Sequence, residues 1–453
     1  MGQALAEGKV IYRDLFDNKG PILYFINAIP FFLGGDYFTR FPIFLLQLIG
    51  LSASMWFMYR TARLFAGGFW SLISLLVSLL LYIVFFEGGN LCEEWMLYGF
   101  APALYVAMKW YVDLHNDEKI SLCTRRMLSD GFFYGFIFAY ALFIRPNDAV
   151  GFIGGLLLSV SILTITSKGR WGNLLNLYLG AFIGFSIITI PIIAWFAYHH
   201  ALVDLWNGMF GVNIGYVGGN SLFFTLPIAK LPLLLCIILM MILSHCYGGW
   251  RLFVMITCPL CCLFVLFGHR MFLHYYISFI PFIVLGISFT AKVPRHMALM
   301  SLLVLLFVQP HNPNPNTKDK PLIRMVRHRI ASTLTTFSFQ GTNENHTSYE
   351  GYILTSKIPF SERASVWNDL ISNCLLFPIF PQNGIVQCNR PIFNFGDNKV
   401  FQKDVLLSIS EVDTPPLWVI STNVEHDPVL NLNNSPYTEV FKTEHYSLFH
   451  LNN

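Results

Sequence analysis

The fold class this sequence predicts is an all-α polytopic membrane bundle followed by a small soluble α/β domain. Three observations predict it. The 453-residue chain is 55% hydrophobic and only 12% charged, about half the ~25% charge of a soluble domain. Apolar runs of about 17–25 residues recur through roughly the first 310 residues, each long enough to cross a ~30 Å hydrocarbon core as a helix that satisfies its own backbone. After Val308 such runs stop, and the remaining residues read as short strands and polar helices.

Taken in order, residues 1–40 form an outer-face loop with an interfacial helix. Its apolar stretch at 22–33 is too short to span and lies at the membrane surface or re-enters it. Residues 41–309 make up the membrane domain of about ten helices, with candidate spans at 41–59, 70–86, 96–112, 132–144, 150–165, 175–196, 223–243, 252–267, 275–289 and 297–308. Residues 310–342, opening PHNPNPNTKDKP, are a polar linker rich in the turn formers Pro and Asn. Residues 343–453 are a small α/β domain, with strand-like GIVQCNRPIFNF, DVLLSISEV, PLWVIS and HYSLFHL and a helix-like SERASVWNDLISN.

Short cytoplasmic loops collect Lys and Arg, which orients the bundle. Arg60, Arg63, Lys119, Arg125, Arg126, Lys168, Arg170, Arg251, Lys292 and Arg295 fall in one set of loops. The alternating set holds only Arg145 and Arg270. The outer face therefore receives residues 8–25, the loop GGNLCEEW, residues 198–220, the segment GHRMFLHYY and, by parity, the C-terminal domain. The expected location is the cytoplasmic (inner) membrane, multi-pass, with that domain in the periplasm of a Gram-negative host.

Several function classes are excluded. A net charge of +3 with no Lys/Arg block argues against a nucleic-acid partner. Of nine cysteines, Cys258, Cys261 and Cys262 lie in an apolar run without a second ligand pair and read as packing. Cys374 and Cys388 form a disulfide outside the membrane or remain separate thiols. Asn345-His346-Thr347 matches a glycosylation sequon, a pattern common by chance. The first 21 residues are polar and contain no apolar signal core.

Four polar clusters share the outer face, where ionisable groups at the edge of hydrocarbon are costly and usually functional. They are Tyr12, Arg13, Asp14, Asp17 and Lys19; Asn90, Glu93 and Glu94; Arg145 in FIRPND; and Arg270, His274 and Tyr275. Carboxylates can deprotonate a hydroxyl or hold a divalent cation, and Arg and Lys can bind phosphate. Each cluster has a bland alternative: a surface Arg13–Asp14 pair, a solvated tip for Glu93 and Glu94, snorkelling for Arg270 and Lys230, packing for His274, and ordinary loop residues for His199 and His200.

The stretch YRDLFDNKGPILYFINAI, residues 12–29, resembles the first outer loop of the GT-C superfamily of polytopic glycosyltransferases. Within it the resemblance is to the bacterial dolichyl-phosphate-mannose-protein-mannosyltransferase-like group, which includes the aminoarabinose transferases of lipid A. Gly88, Gly89, Asn90, Glu93 and Glu94 match a GGN-x-x-E-E segment of this group. Arg270, His274, Tyr275, Tyr276 and Pro281 match an R-x-x-x-H-Y-Y stretch leading to I-P. Pro415 and Pro416 match a proline pair before a strand of its outer domain.

The resemblance implies a GT-C-like fold and transfer of a sugar from a polyprenyl-phosphate donor to an extracytoplasmic acceptor, with inversion. Nucleotide sugars are absent outside the cytoplasm, which independently favours a lipid-borne donor. Lys19 and Arg270, then Arg13 and Arg145, are the expected phosphate ligands, since preorganised cations stabilise the charge that grows on a departing phosphate. Asp14, Asp17, Glu93 and Glu94 are the carboxylate candidates, and Tyr12, Asn90, His274 and Tyr275 position substrate. In the family a first helix and an acidic base precede this loop; the chain starts at Met1-Gly2-Gln3-Ala4, so the base is expected upstream of Met1. A catalytically impaired form is the other reading. A transporter or flippase of lipid-linked glycan and a non-catalytic assembly protein are the competing functions, although no internal repeat supports transport.

Overall fold

The computed structural model describes residues 2–14, 17, 19–33, 41–85, 90–115, 124–166, 171–211, 257, 260, 273–290, 354, 357–362, 366–368, 416–421, 430, 436–443 and 446–452. Two compact units divide the chain: residues 44–195 with 220–332, and residues 1–43 with 196–219 and 333–453.

The helices run in order as α1 (Gly2–Ala6), α2 (Pro21–Phe32), α3 (Phe41–Arg63), α4 (Gly68–Phe85), α5 (Cys92–His115), α6 (Thr124–Leu142), α7 (Pro146–Asp148), α8 (Gly155–Thr166), α9 (Trp171–Tyr198), α10 (Leu202–Trp206) and α11 (Ile280–Thr290). A wide π-helical segment, Ala149–Gly154, joins α7 to α8, and a 3-10 helix, Leu273–Phe279, leads into α11. Among the described residues, three helices are long and apolar enough to cross a membrane: Phe41–Arg63, Pro146–Ile165 and Trp171–Tyr198. The first and third keep most of their span exposed, 22% and 28% buried, whereas the second is 61% buried. That contrast is what lipid-facing and bundle-interior helices require when the solvent is itself apolar. Helix α2 has 12 residues, about 18 Å at the α-helical rise and too short to span. The spans expected at 223–243, 252–267 and 297–308 lie outside the described residues, as do the linker, Arg270, Lys230, Cys374 and Cys388.

Aromatic stacking centres the larger unit. Phe100 of α5 stacks on Phe152 of the π segment at 4.2 Å, and Phe152 meets Phe282 of α11 at 5.1 Å. Helices α6 and α9 approach through glycine on both sides: a Cβ at Gly135 would sit 1.8 Å from the Ala181 carbonyl oxygen, and one at Gly184 2.0 Å from that of Phe132. Only hydrogen at these Cα atoms permits so close a crossing, the small-residue packing that drives helix association in lipid.

The C-terminal residues form a four-stranded sheet of order β1-β2-β4-β3, comprising β1 (Val366–Asn368), β2 (Trp418–Ser421), β3 (Tyr437–Lys442) and β4 (Ser447–Leu451). Strand β1 lies parallel to β2, with Val366 opposite Trp418, and the other pairings are antiparallel. Leu354, Ile358, Val366, Trp418, Ile420, Tyr446 and Leu448 form one core, while Val419, Leu430 and Phe449 form a second. The alternation along β2 places successive residues in the two cores, as a strand covered on both sides requires. This corrects the helix-like reading of SERASVWNDLISN: Val366–Asn368 is a strand, because pairing with β2 and burial of Val366 override the local helical pattern.

Candidate active site

Within the unit of residues 1–43, 196–219 and 333–453, the loop after α1 is pinned by Tyr12. Its backbone is left-handed, φ 67°, a strained state for a bulky residue. The side chain is fully buried, donates its hydroxyl to the Lys19 carbonyl and stacks on Phe196 at 5.8 Å. A Cβ at Gly208 would fall 2.2 Å from the Tyr12 ring, so glycine is needed there. Tyr24 Oη accepts the Lys19 N–H at 3.2 Å.

Beside this anchor, Arg13 donates from Nε to Asp14 Oδ1 at 2.9 Å and from Nη1 to the His199 carbonyl at 2.9 Å. The second bond places a cation at the C-terminal end of α9, where the helix dipole favours it. Asp14 also accepts the Val10 N–H at 2.6 Å. Burial alone would raise the Asp14 carboxyl. The Arg13 hydrogen bond, the Val10 N–H and the charges of Arg13 and Lys9 outweigh it and hold it below the ordinary carboxylate range. Asp17 is buried and the Lys19 side chain half-buried.

The other described group lies within residues 44–195 and 220–332. Asn90, at φ 58°, turns the chain into α5, whose first turn carries Glu93 and Glu94. Both acids are buried, at 3% and 2% exposure, which removes the solvated-tip alternative. Their surroundings differ completely. Glu94 accepts four hydrogen bonds: from Tyr82 at 2.5 Å and Tyr98 at 3.0 Å on Oε1, and from the Gln47 amide and the Asn90 N–H, both at 2.8 Å, on Oε2. It ties α3 and α4 to the start of α5, and Trp95 reinforces the turn by donating to Asn90 Oδ1 at 3.0 Å.

Glu93 faces charged partners instead. Arg145 Nη1 pairs with Glu93 Oε1 and lies 3.4 Å from Asp148 Oδ2, while His274 Nε2 is 3.9 Å from Glu93 Oε2. The Arg145 guanidinium lies over the Tyr275 ring, 4.2 Å from its centroid, a cation–π arrangement. Three separate segments, the start of α5, the Arg145–Asp148 stretch and the 3-10 helix, thus deliver Glu93, Arg145, Asp148 and the His274–Tyr275 pair to one place. The Arg145 and His274 side chains each retain 16% exposure, whereas Glu93 and Asp148 retain 4% and 2%. The cation and the imidazole are thus less deeply buried than the two acids. Asp148 escaped the sequence reading because Arg-Pro-Asn-Asp resembles an ordinary turn. An acid three residues beyond an intramembrane arginine, the spacing of one helical turn, was the signal that could have found it. Among the described residues, no group of three or more His, Cys, Asp or Glu side chains has the arrangement to hold a metal ion.

No protein-family model and no curated protein matches the chain. Among solved structures it is similar to the oligosaccharyltransferase of Archaeoglobus fulgidus, crystallised with zinc and sulfate, at 12% identity and a TM-score of 0.45. The match covers 94% of this chain and 63% of that one, so the chain spans less than two thirds of that protein's length.

Proposed function

We propose that the protein is a membrane glycosyltransferase that moves a sugar from a polyprenyl-phosphate donor to an extracytoplasmic acceptor with inversion. The observation that carries this reading is the buried meeting of Glu93, Arg145, Asp148 and His274 among the membrane helices. Burying four such groups is expensive and persists where chemistry requires it. The GT-C-like motifs in the sequence point the same way.

In this mechanism Lys19 and Arg270, supported by Arg13 and Arg145, neutralise the donor phosphate as its bond to the anomeric carbon breaks. A carboxylate withdraws the proton of the attacking acceptor hydroxyl, and the oxygen bonds to the opposite face of that carbon. Glu93, with its neighbours Arg145 and His274, holds the sugar in reach, and Asp14 and Asp17 are the further carboxylate candidates. Glu94, saturated by four donors, fixes the turn that aims Glu93. A divalent cation fits the carboxylate chemistry without being required by it. The active face and the C-terminal domain lie on the outer side of the cytoplasmic membrane.

The test uses the full chain in vesicles loaded with a panel of undecaprenyl-phosphate pentoses and hexoses plus an envelope lipid extract. Sugar transfer with release of undecaprenyl phosphate is expected, and Lys19→Ala is expected to abolish it while membrane insertion persists. Movement of the intact donor between leaflets without sugar transfer would replace this reading with a flippase. Normal turnover by Lys19→Ala would remove Lys19 from the phosphate site.

A further inference from the structure

We propose that Asp148 is a positioning residue that fixes the plane of the Arg145 guanidinium, and through it Glu93, without itself touching substrate. This rests on the reading above and deepens it.

An acid at the third position of a helix can reach back to accept the N–H of the N-cap residue. Asp148 stands in the first turn of α7 and does not do this. Neither of its oxygens accepts a backbone N–H or a hydrogen bond of good geometry among the described residues, both are shut off from solvent, and the charges of Arg145 and His274 act on it. Its described partner is Arg145 Nη1 at 3.4 Å, one turn back. A buried carboxylate without hydrogen bonds costs several kcal/mol, so a capping or packing role leaves its presence unexplained. Opposition to a buried guanidinium explains it.

The geometry says what that opposition accomplishes. Arg145 precedes α7 with extended backbone, φ −154° and ψ 101°, so its side chain leaves the chain before the helix begins. Glu93 meets Nη1 from α5, Asp148 meets the same nitrogen from α7, and the Tyr275 ring covers the guanidinium face. The ring covers one face and the two acids hold one nitrogen, so together they fix how the guanidinium lies. Without Asp148, the cation is free to rotate toward Glu93 and occupy both of its oxygens. The π-helical turn immediately after Asp148 widens the helix where this aim is set, a feature common at functional sites. Exposure separates the roles: Arg145 is the less buried of the two, at 16% against 2% for Asp148.

The decisive experiment is a double-mutant cycle with Asp148→Asn and Arg145→Gln. It is read in kcat and KM on whichever undecaprenyl-phosphate sugar of the panel is turned over, and in thermal unfolding of the same detergent-solubilised chains. Misplacing a reacting group by about 1 Å can lower rate on the order of 100-fold. Asp148→Asn is therefore expected to lower kcat about 10- to 100-fold with KM within about twofold, and to add nothing in the Arg145→Gln background. In unfolding, the double variant is expected to lose less than the sum of the singles, because one mutation removes what the other leaves unpaired. Unchanged kcat, a raised KM, or a further loss on top of Arg145→Gln would each overturn the proposal. Should the parent chain transfer no sugar, the glycosyltransferase reading falls. The unfolding cycle then still decides the pairing: additive losses overturn it and non-additive losses support it.

Discussion

Replacing Glu94 by alanine and by glutamine separates the value of its charge from that of its shape. The carboxylate receives Tyr82 and Tyr98 hydroxyls on one oxygen and the Gln47 amide and Asn90 N–H on the other. In Glu94→Ala, the Gln47 and Asn90 N–H groups lose their acceptor. Each orphaned buried donor costs about 1–3 kcal/mol, so the pair costs about 2–6 kcal/mol. The tyrosine hydroxyls add only what they cannot recover by rotating, since each can donate or accept. Glu94→Gln behaves differently. With its carbonyl toward Gln47 and Asn90 and its NH2 toward the tyrosine oxygens, all contacts survive as neutral bonds, and relief of a buried charge offsets part of the lost strength. A loss below about 2 kcal/mol is expected. Denaturant titration in detergent micelles, followed by tryptophan fluorescence, resolves the two, because 1.4 kcal/mol is about tenfold in the equilibrium constant. Glutamine as damaging as alanine, or alanine within about 0.5 kcal/mol of the parent, would refute the reasoning.

Other outcomes follow from single features. Gly135→Ala puts a methyl 1.8 Å from the Ala181 carbonyl oxygen, where about 3.3 Å is the usual limit; α6 and α9 must part, with an expected loss of at least about 1–3 kcal/mol in thermal unfolding. Asp14, whose folded pKa is lowered, contributes stability fully present above the unfolded value of about 3.9 and lost as pH falls through the folded value. The melting temperature of the parent, relative to Asp14→Asn, should therefore hold at neutral pH and decline only below about pH 4. Leu448→Ala empties a fully buried position in the C-terminal sheet and should cost about 2–5 kcal/mol, read by urea unfolding of the full chain.

The helical segments were legible where hydropathy alone decides. The run read at 175–196 is α9, Trp171–Tyr198, and that at 41–59 is α3, Phe41–Arg63. The start of α5 was not legible. A hydropathy profile ends the apolar stretch at Met96, whereas the helix continues back through Glu94 and Glu93 to Cys92. Four donors and an arginine make those acids tolerable inside, and Gln47, Tyr82 and Arg145 among them come from other segments of the chain. Asp148 was hidden for the same reason: its ion pair is a tertiary fact. The sequence singled out Glu93, Arg145 and His274 as separate clusters, and their convergence emerges only from packing. In the sequence Arg13 reads either as a phosphate ligand or as a surface pair with Asp14; in the fold it is bonded to Asp14 and, beyond that reading, to the end of α9. Strand Val366–Asn368 was misread because three residues are too few to show a period, and their partner lies 52 positions later at Trp418.

The Arg13–His199 bond joins residues 186 positions apart, and Tyr12 reaches equally far to Phe196 and Gly208. A ribosome adding about 5–20 residues per second needs roughly 10–40 s to deliver those distant partners. Throughout that interval the anchoring tyrosine has only its local partners, the Lys19 carbonyl and the Tyr24 ring. The entry loop is consequently completed late in biogenesis, and nascent chains arrested before residue 196 should expose it to proteases that chains arrested beyond residue 211 resist.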